Sequence, residues 1–355
     1  MRLKTVINKE IFGWAMFDFA NSSYTTVIIT VMFSRYFVNH VVPDTSQGPY
    51  MWSVTLSISY LLVAVLSPFI GALADYTGRK KLYLFATTAV CVVFTISLYL
   101  VNPGDLYLGI ILIVLSNIGF SLGENLISSF LPQITTNDHI GFVSGFGWGL
   151  GYVGGFFAIL GASGLSKLFD NIPLSYQAIS VFIGFYFAIS AIPTFIWLKD
   201  RNIKKHKSLS MVQHIKAGNK RLIETIHHIR EFKELVKLLV AFFFYFGGLA
   251  TLVSFSAVYA SNELGFTTDE LVAIFLATNV SSSVGAVLFG LLEDKVGAKK
   301  TLGIILILWV FVLVGIYFTT SKSAFWVLSF LAGIGTGSVQ SATRAMVGLF
   351  SPQSK

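Results

Sequence analysis

Ten long apolar runs divide the chain, at about 13–37, 52–74, 82–101, 107–131, 142–165, 177–198, 238–261, 271–292, 302–319 and 325–350. A bilayer core of about 30 Å takes about 20 apolar residues of helix, so each run predicts one membrane-spanning helix. Helix breakers stand at the joints: Pro43 with Gly48 and Pro49, Asn102-Pro103-Gly104, Pro132, Pro173 and Pro352. The fold class expected is an all-α membrane protein.

The pattern repeats on a larger scale. Gly71-Ala72-Leu73-Ala74-Asp75-Tyr76-Thr77-Gly78-Arg79-Lys80-Lys81 joins the second run to the third. Gly290-Leu291-Leu292-Glu293-Asp294-Lys295-Val296-Gly297-Ala298-Lys299-Lys300 joins the eighth to the ninth, with Gly, Leu, Asp, Gly, Lys and Lys in the same places. A duplication of this kind within a hydrophobic chain marks a transporter built from two related bundles.

Composition narrows the class. Hydrophobic residues make up 54% of the 355 and charged ones 12%, against about a quarter charged in soluble domains. Phe (33) and Gly (31) are abundant, as suits bulk toward lipid and small residues at helix contacts. The single cysteine, Cys91, excludes an internal disulfide or a cysteine metal site. The first apolar run is too long for a signal-peptide core and is expected to remain as a span.

Lys and Arg set the orientation. With the N-terminus inside, 21 of the 25 basic residues lie on the inner side; Arg35, Lys167 and Lys322 fall outside and Arg344 within a span. The expectation is a multi-pass protein of the cell membrane with both termini cytoplasmic. Its charge of +8 is then a collar facing anionic lipid rather than a nucleic-acid surface. The longest loop, 199–237, splits the chain into a six-helix bundle (1–198) and a second bundle (238–355) with four helices. Within it Ile215, Leu222, Ile226, Ile229 and Val236 suggest a helix lying on the membrane surface. His206, His214, His227 and His228 sit there without a carboxylate or cysteine cluster, so no metal is expected. A six-plus-six duplication calls for two more spans after 350; a fragment is the expectation and a genuine ten-span protein the alternative.

Ionisable groups in a span are costly and usually face a cavity. Asp18, Glu124 and Arg344 stand out. Asp18, Asn21 and Ser22 share one helical face, and with Tyr24, Glu124, Asn125, Trp148 and Tyr152 they form the candidate solute- and proton-binding set. The bland alternative for Asp18 is an interfacial carboxylate. Glu124 and Arg344 lie 220 positions apart, as do Pro132 and Pro352, so acid and base occupy equivalent places in the two halves. They are candidate gating residues with Asp75, Arg79 and Asp294; independent snorkelling to the interface is the alternative. Nine glycines fall between 141 and 164, and Gly147, Gly151 and Gly155 form a stripe for close helix approach.

The duplicated stretch resembles the loop between helices two and three of the major facilitator superfamily, Gly-x-x-x-Asp-[Arg/Lys]-x-Gly-[Arg/Lys]-[Arg/Lys], with its second copy between helices eight and nine. Tyr76 and Ala298 replace bases of that pattern. The resemblance implies that Asp75 faces the N-terminus of an eleventh helix, and that helices one, four, seven and ten line a central cavity, across which Glu124 and Arg344 would meet. Asp18-Phe19-Ala20-Asn21-Ser22-Ser23-Tyr24, Leu131-Pro132-Gln133-Ile134 and the run Ser144–Gly155 resemble signatures of the vacuolar-effluxer-like, or "unknown major facilitator", family. That resemblance implies secondary transport of small solutes by alternating access, with amino-acid efflux and proton coupling as candidates. It also implies an acid in helix seven, which Tyr245-Phe246-Gly247-Gly248 lacks, so a polar contact of the second half is expected to be missing.

ATP-driven transport is disfavoured, because Gly297–Thr301 lacks the phosphate-loop spacing. An enzyme would need a nucleophile–base or metal cluster, and none is evident. No cofactor is expected, and the state expected is a monomer. The competing readings are a transporter-like receptor or assembly protein that moves no solute, and an uncoupled facilitator.

Overall fold

The computed structural model describes residues 6–201 and 233–350. The four loop histidines and the basic-loop helix therefore lie outside the described residues, save Val236, which falls in the helix that begins at Lys233. Within them the chain is helical, and each apolar run falls on a helical segment: α1 (Lys9–Ser23), α2 (Gly48–Thr77), α3 (Lys80–Ser97), α4 (Leu106–Ser128), α5 (Ile140–Ser166), α6 (Ile172–Ser190), α7 (Lys233–Leu264), α8 (Thr268–Val296), α9 (Ala298–Phe318) and α10 (Lys322–Phe350). Short helices at Leu131–Ile134 and Ile192–Trp197 follow α4 and α6.

Eight helices among the described residues are both long and apolar enough to cross a membrane, rather than ten. The two exceptions have physical causes. The first run is interrupted: α1 passes into wide π-helical turns at Tyr24–Val31 and Phe37–Val41, around a short helix at Phe33–Tyr36. The tenth has the length, but Thr336, Ser338, Gln340, Ser341, Thr343 and Arg344 dilute its apolar character.

The described chain packs as two compact units: 7–130 with 154–201, and 131–153 with 233–350. This division differs from a break at the basic loop, because the first half of α5 is grouped with the later helices.

In the first unit, small residues and buried amides set the contacts. A Cβ on Gly119 would lie 2.6 Å from the backbone nitrogen of Cys91, so α3 and α4 touch backbone to backbone. The α1 indole of Trp14 donates to the Ile127 carbonyl, in the last turn of α4, at 2.8 Å. Asn117 donates to Ser59 (2.8 Å) and Asn125 to Ser67 (2.7 Å), both across 58 positions. Equal offsets mean that α2 and α4 run in the same direction, as alternate membrane crossings require. Asn117 and Ser59 are fully buried. Asn117→Ala is expected to cost about 1 kcal/mol, read as a lower unfolding temperature in detergent.

In the second unit α8 is the shared partner. A Cβ on Gly141 would lie 2.8 Å from the Gly290 carbonyl, and one on Gly145 would strike the carbonyl of Ala286. One on Gly149 would lie 2.9 Å from Val287. Positions falling along α8 while they rise along α5 make that pair antiparallel. On α8's contact with α10, Gly285 faces the Ile334 backbone, and Gly333 and Gly337 face Thr278 and Ser282. Ser282 Oγ donates to the Gly333 carbonyl at 2.8 Å. Where the two copies of the repeat turn, Gly78 (φ +66°) and Gly297 (φ +90°) adopt a positive-φ backbone that a side chain resists.

Candidate functional site

The first unit gathers the acidic candidates. Asp18 and Asn21 of α1 are each 3% exposed. Asn21 Nδ2 donates to Glu124 Oε2 on α4 at 2.7 Å. The shared face read from the Asp18, Asn21 and Ser22 spacing thus meets α4 through an amide–carboxylate bond. Two other candidates have packing partners. Tyr24 is buried, shares a 2.8 Å hydrogen bond with Ser116 and stacks on Phe120 at 5.3 Å. Asn125 ties α4 to α2 through Ser67, because a step of one residue turns a helical side chain by about 100° away from Glu124.

The other candidates belong to the second unit. Arg344 on α10 is 9% exposed. Its guanidinium donates to the Ser144 carbonyl (2.8 Å) and hydroxyl (3.2 Å) on α5, and it lies 5.2 Å from the Trp148 ring centre, within cation–π range. Tyr152, two turns along α5 from Ser144, donates to Gln340 of α10. Glu124 belongs to the first unit and Arg344 to the second. Contrary to the expectation of a missing polar contact, Tyr245 of α7, in the stretch that lacks the acid, shares a 2.6 Å hydrogen bond with Thr343 of α10.

The two copies of the repeat differ. Asp75 is half exposed and pairs with Lys80 at 2.8 Å, while Arg79 is exposed at the turn. Asp294 accepts from the backbone nitrogens of Gly141 (2.9 Å) and Phe142 (3.1 Å), the first turn of α5. A carboxylate there satisfies two orphan donors and opposes the positive end of the helix dipole. Gly71 makes no tight helix contact: nothing lies within 4 Å of a Cβ placed there. A Cβ on its counterpart Gly290 would instead lie 2.5 Å from the Gly141 carbonyl oxygen. The stripe that seats α5 on α8 is Gly141, Gly145 and Gly149, whereas Gly155 meets the Thr26 hydroxyl.

Sequence reasoning passed over Ser144, Gln340 and Thr343 as site residues. Small polar residues in an apolar helix carry no distinctive signal. It also passed over Glu293, although the repeat displays it: Ala74 holds the same place in the first copy. Among the described residues no group of His, Cys, Asp and Glu could hold a metal ion.

Comparison with known proteins places this geometry. The family model described as vacuole effluxer Atg22 like matches residues 36–141 and 141–355. A Bacillus subtilis (strain 168) protein described as an uncharacterized MFS-type transporter, YxiO, is 28% identical, over 94% of this chain and 79% of that protein. Autophagy-related protein 22 of Pyricularia oryzae is 22% identical, over 74% of this chain and 48% of its own length. The crystal structure of the human organic anion transporter MFSD10 (TETRAN) is similar with a TM-score of 0.69 at 12% identity, covering 96% of this chain and 85% of that one; so distant a likeness speaks to the fold. The chain belongs to the vacuole effluxer Atg22-like family and is a multi-pass membrane transporter of the major facilitator type.

Proposed function

We propose that the chain is a secondary active transporter that exports small solutes, amino acids foremost, by alternating access, and that Asp18 carries the coupled proton. The supporting observation is the buried Asp18 and Asn21 beside the half-buried Glu124 in otherwise apolar helices, with Asn21 bonded to Glu124 at 2.7 Å. Carboxylates within membrane helices are rare and mark substrate paths and proton relays. A proton and a substrate ammonium are alternative cations for such a group, and competition between the two couples their movements. The family model, an effluxer by description, supports the direction. A cell-membrane location belongs to the same reading, and the basic loops support termini on the inner side. Gating by Glu124, Arg344, Asp75, Arg79 and Asp294 belongs to the same reading.

The test is uptake and counterflow in proteoliposomes with a panel of amino acids, with and without a pH gradient. One pH unit is worth about 1.36 kcal/mol per proton, so one coupled proton supports about tenfold accumulation. Asp18→Asn is expected to abolish that accumulation. Flux indifferent to both the gradient and Asp18 would sink the proton assignment; no flux of any amino acid would sink the substrate class.

A further inference from the structure

Glu293 has no part in the transport reading. It stands in the last turn of α8, is 3% exposed, and neither carboxyl oxygen has a hydrogen-bond partner among the described residues. Its Cβ lies 2.8 Å from where a Cβ on Gly141 would be, so it is pressed against the first turn of α5. The equivalent position in the first copy, Ala74, is equally buried but carries no acid. The burial belongs to the repeat, and the carboxyl is particular to the second copy.

The span around α8 runs 27 residues from Glu270 to Val296, about 40 Å of helix. That exceeds the hydrocarbon core by about 10 Å, about 5 Å at each end of a centred helix, so Glu293, three residues from Val296, stands at the edge of the headgroup layer, where water is near once the contact loosens. While the contact is closed, a carboxylate with no donor would be an uncompensated buried charge, a state proteins avoid by neutralising the group. The charged surroundings reinforce this. On α8 itself, Asp294 and Lys295 are adjacent, and Asp294 spends its charge on the Gly141 and Phe142 nitrogens. The turn before α5 brings Asp138 and His139. Residues 140–166 of α5 hold no Asp, Glu, His, Lys or Arg. Arg344 of α10 is committed to Ser144, one turn further along α5. Lys299 and Lys300, at the start of α9, are exposed, and on α7 Lys237 pairs with Glu234. Among the described residues no cation bonds to Glu293.

We propose that Glu293 is a proton-binding site built into the α5–α8 contact: closing the contact takes up a proton, and losing the proton opens it. The sign follows from linkage. The closed form binds the proton more tightly than the open one, so the contact is favoured at low pH and weakens as pH rises.

Amide hydrogen exchange of the reconstituted chain, corrected for intrinsic rates, tests this without any substrate. Its outcome is therefore independent of the transport reading. Peptides covering 141–149 and 286–294 are followed from pH 5.5 to 8.5. With one linked proton, the opening constant is expected to climb by up to about tenfold per pH unit over part of that range. Glu293→Gln, neutral and of the same shape, is expected to remove the slope and keep these segments protected throughout. Glu293→Ala, the residue of the first copy, should also be flat and guards against a folding defect peculiar to the amide. A wild-type profile without slope, or the same slope in both variants, overturns the proposal.

Discussion

Gly337→Val is expected to lower stability by about 3 kcal/mol, the largest effect foreseen for a single substitution in this chain. An added Cβ at Gly337 meets the carbonyl group and Cα of Ser282, which are backbone atoms. No rotamer change relieves such a clash, so α10 must withdraw from α8. Overpacking of this kind costs about 1–3 kcal/mol and sometimes more. Withdrawal would also break the 2.8 Å bond from Ser282 to the Gly333 carbonyl, worth about 1 kcal/mol. Gly303 supplies the control. It sits in α9 with nothing within 4 Å of a Cβ placed there, so Gly303→Val is expected to stay within about 0.5 kcal/mol of wild type. Thermal unfolding in detergent compares them; equal shifts would mean that the α8–α10 contact is not what holds these helices.

The second large effect separates two aspartates that the repeat makes equivalent. Asp294→Ala removes the acceptor for the nitrogens of Gly141 and Phe142. Losing a charged helix cap costs about 1–2 kcal/mol, and the freed nitrogens lie in a packed contact where water cannot easily replace the carboxylate. Asp75→Ala removes only a half-exposed pair with Lys80, worth about 0–1 kcal/mol. Added salt should erase most of the Asp75 effect and little of the Asp294 effect. Unfolding temperatures at two salt concentrations check both statements; an Asp75 effect equal to that of Asp294 would refute the distinction.

Much of the fold was legible because hydrophobic length is a direct consequence of bilayer thickness. The runs marked every long helix, and the repeat marked the duplication. Where the pattern misled, the cause is visible. Nine glycines between 141 and 164 contain two interleaved stripes, 147-151-155 and 141-145-149. Periodicity cannot choose which of them meets α8; the approach of the Ala286 carbonyl and the Val287 side chain does. Of the candidate site, the Asp18, Asn21 and Ser22 face was readable from spacing, and its partner Glu124 from the cost of an acid in a span. Asn125 shares the polar character of its neighbour but not its direction, and a string of letters does not show direction. The partners of Arg344 were not readable, since a serine hydroxyl and carbonyl on a distant helix leave no trace in local sequence.

The twin amide bonds from α4 to α2, Asn117 to Ser59 and Asn125 to Ser67, act as two teeth on a rack. Sliding one helix by a residue disengages both at once, so neither can compensate for the other. An inserted or deleted residue between the teeth leaves at most one engaged. Length variation among relatives of this chain should therefore gather outside 59–67 and 117–125, however freely the apolar residues between those teeth exchange.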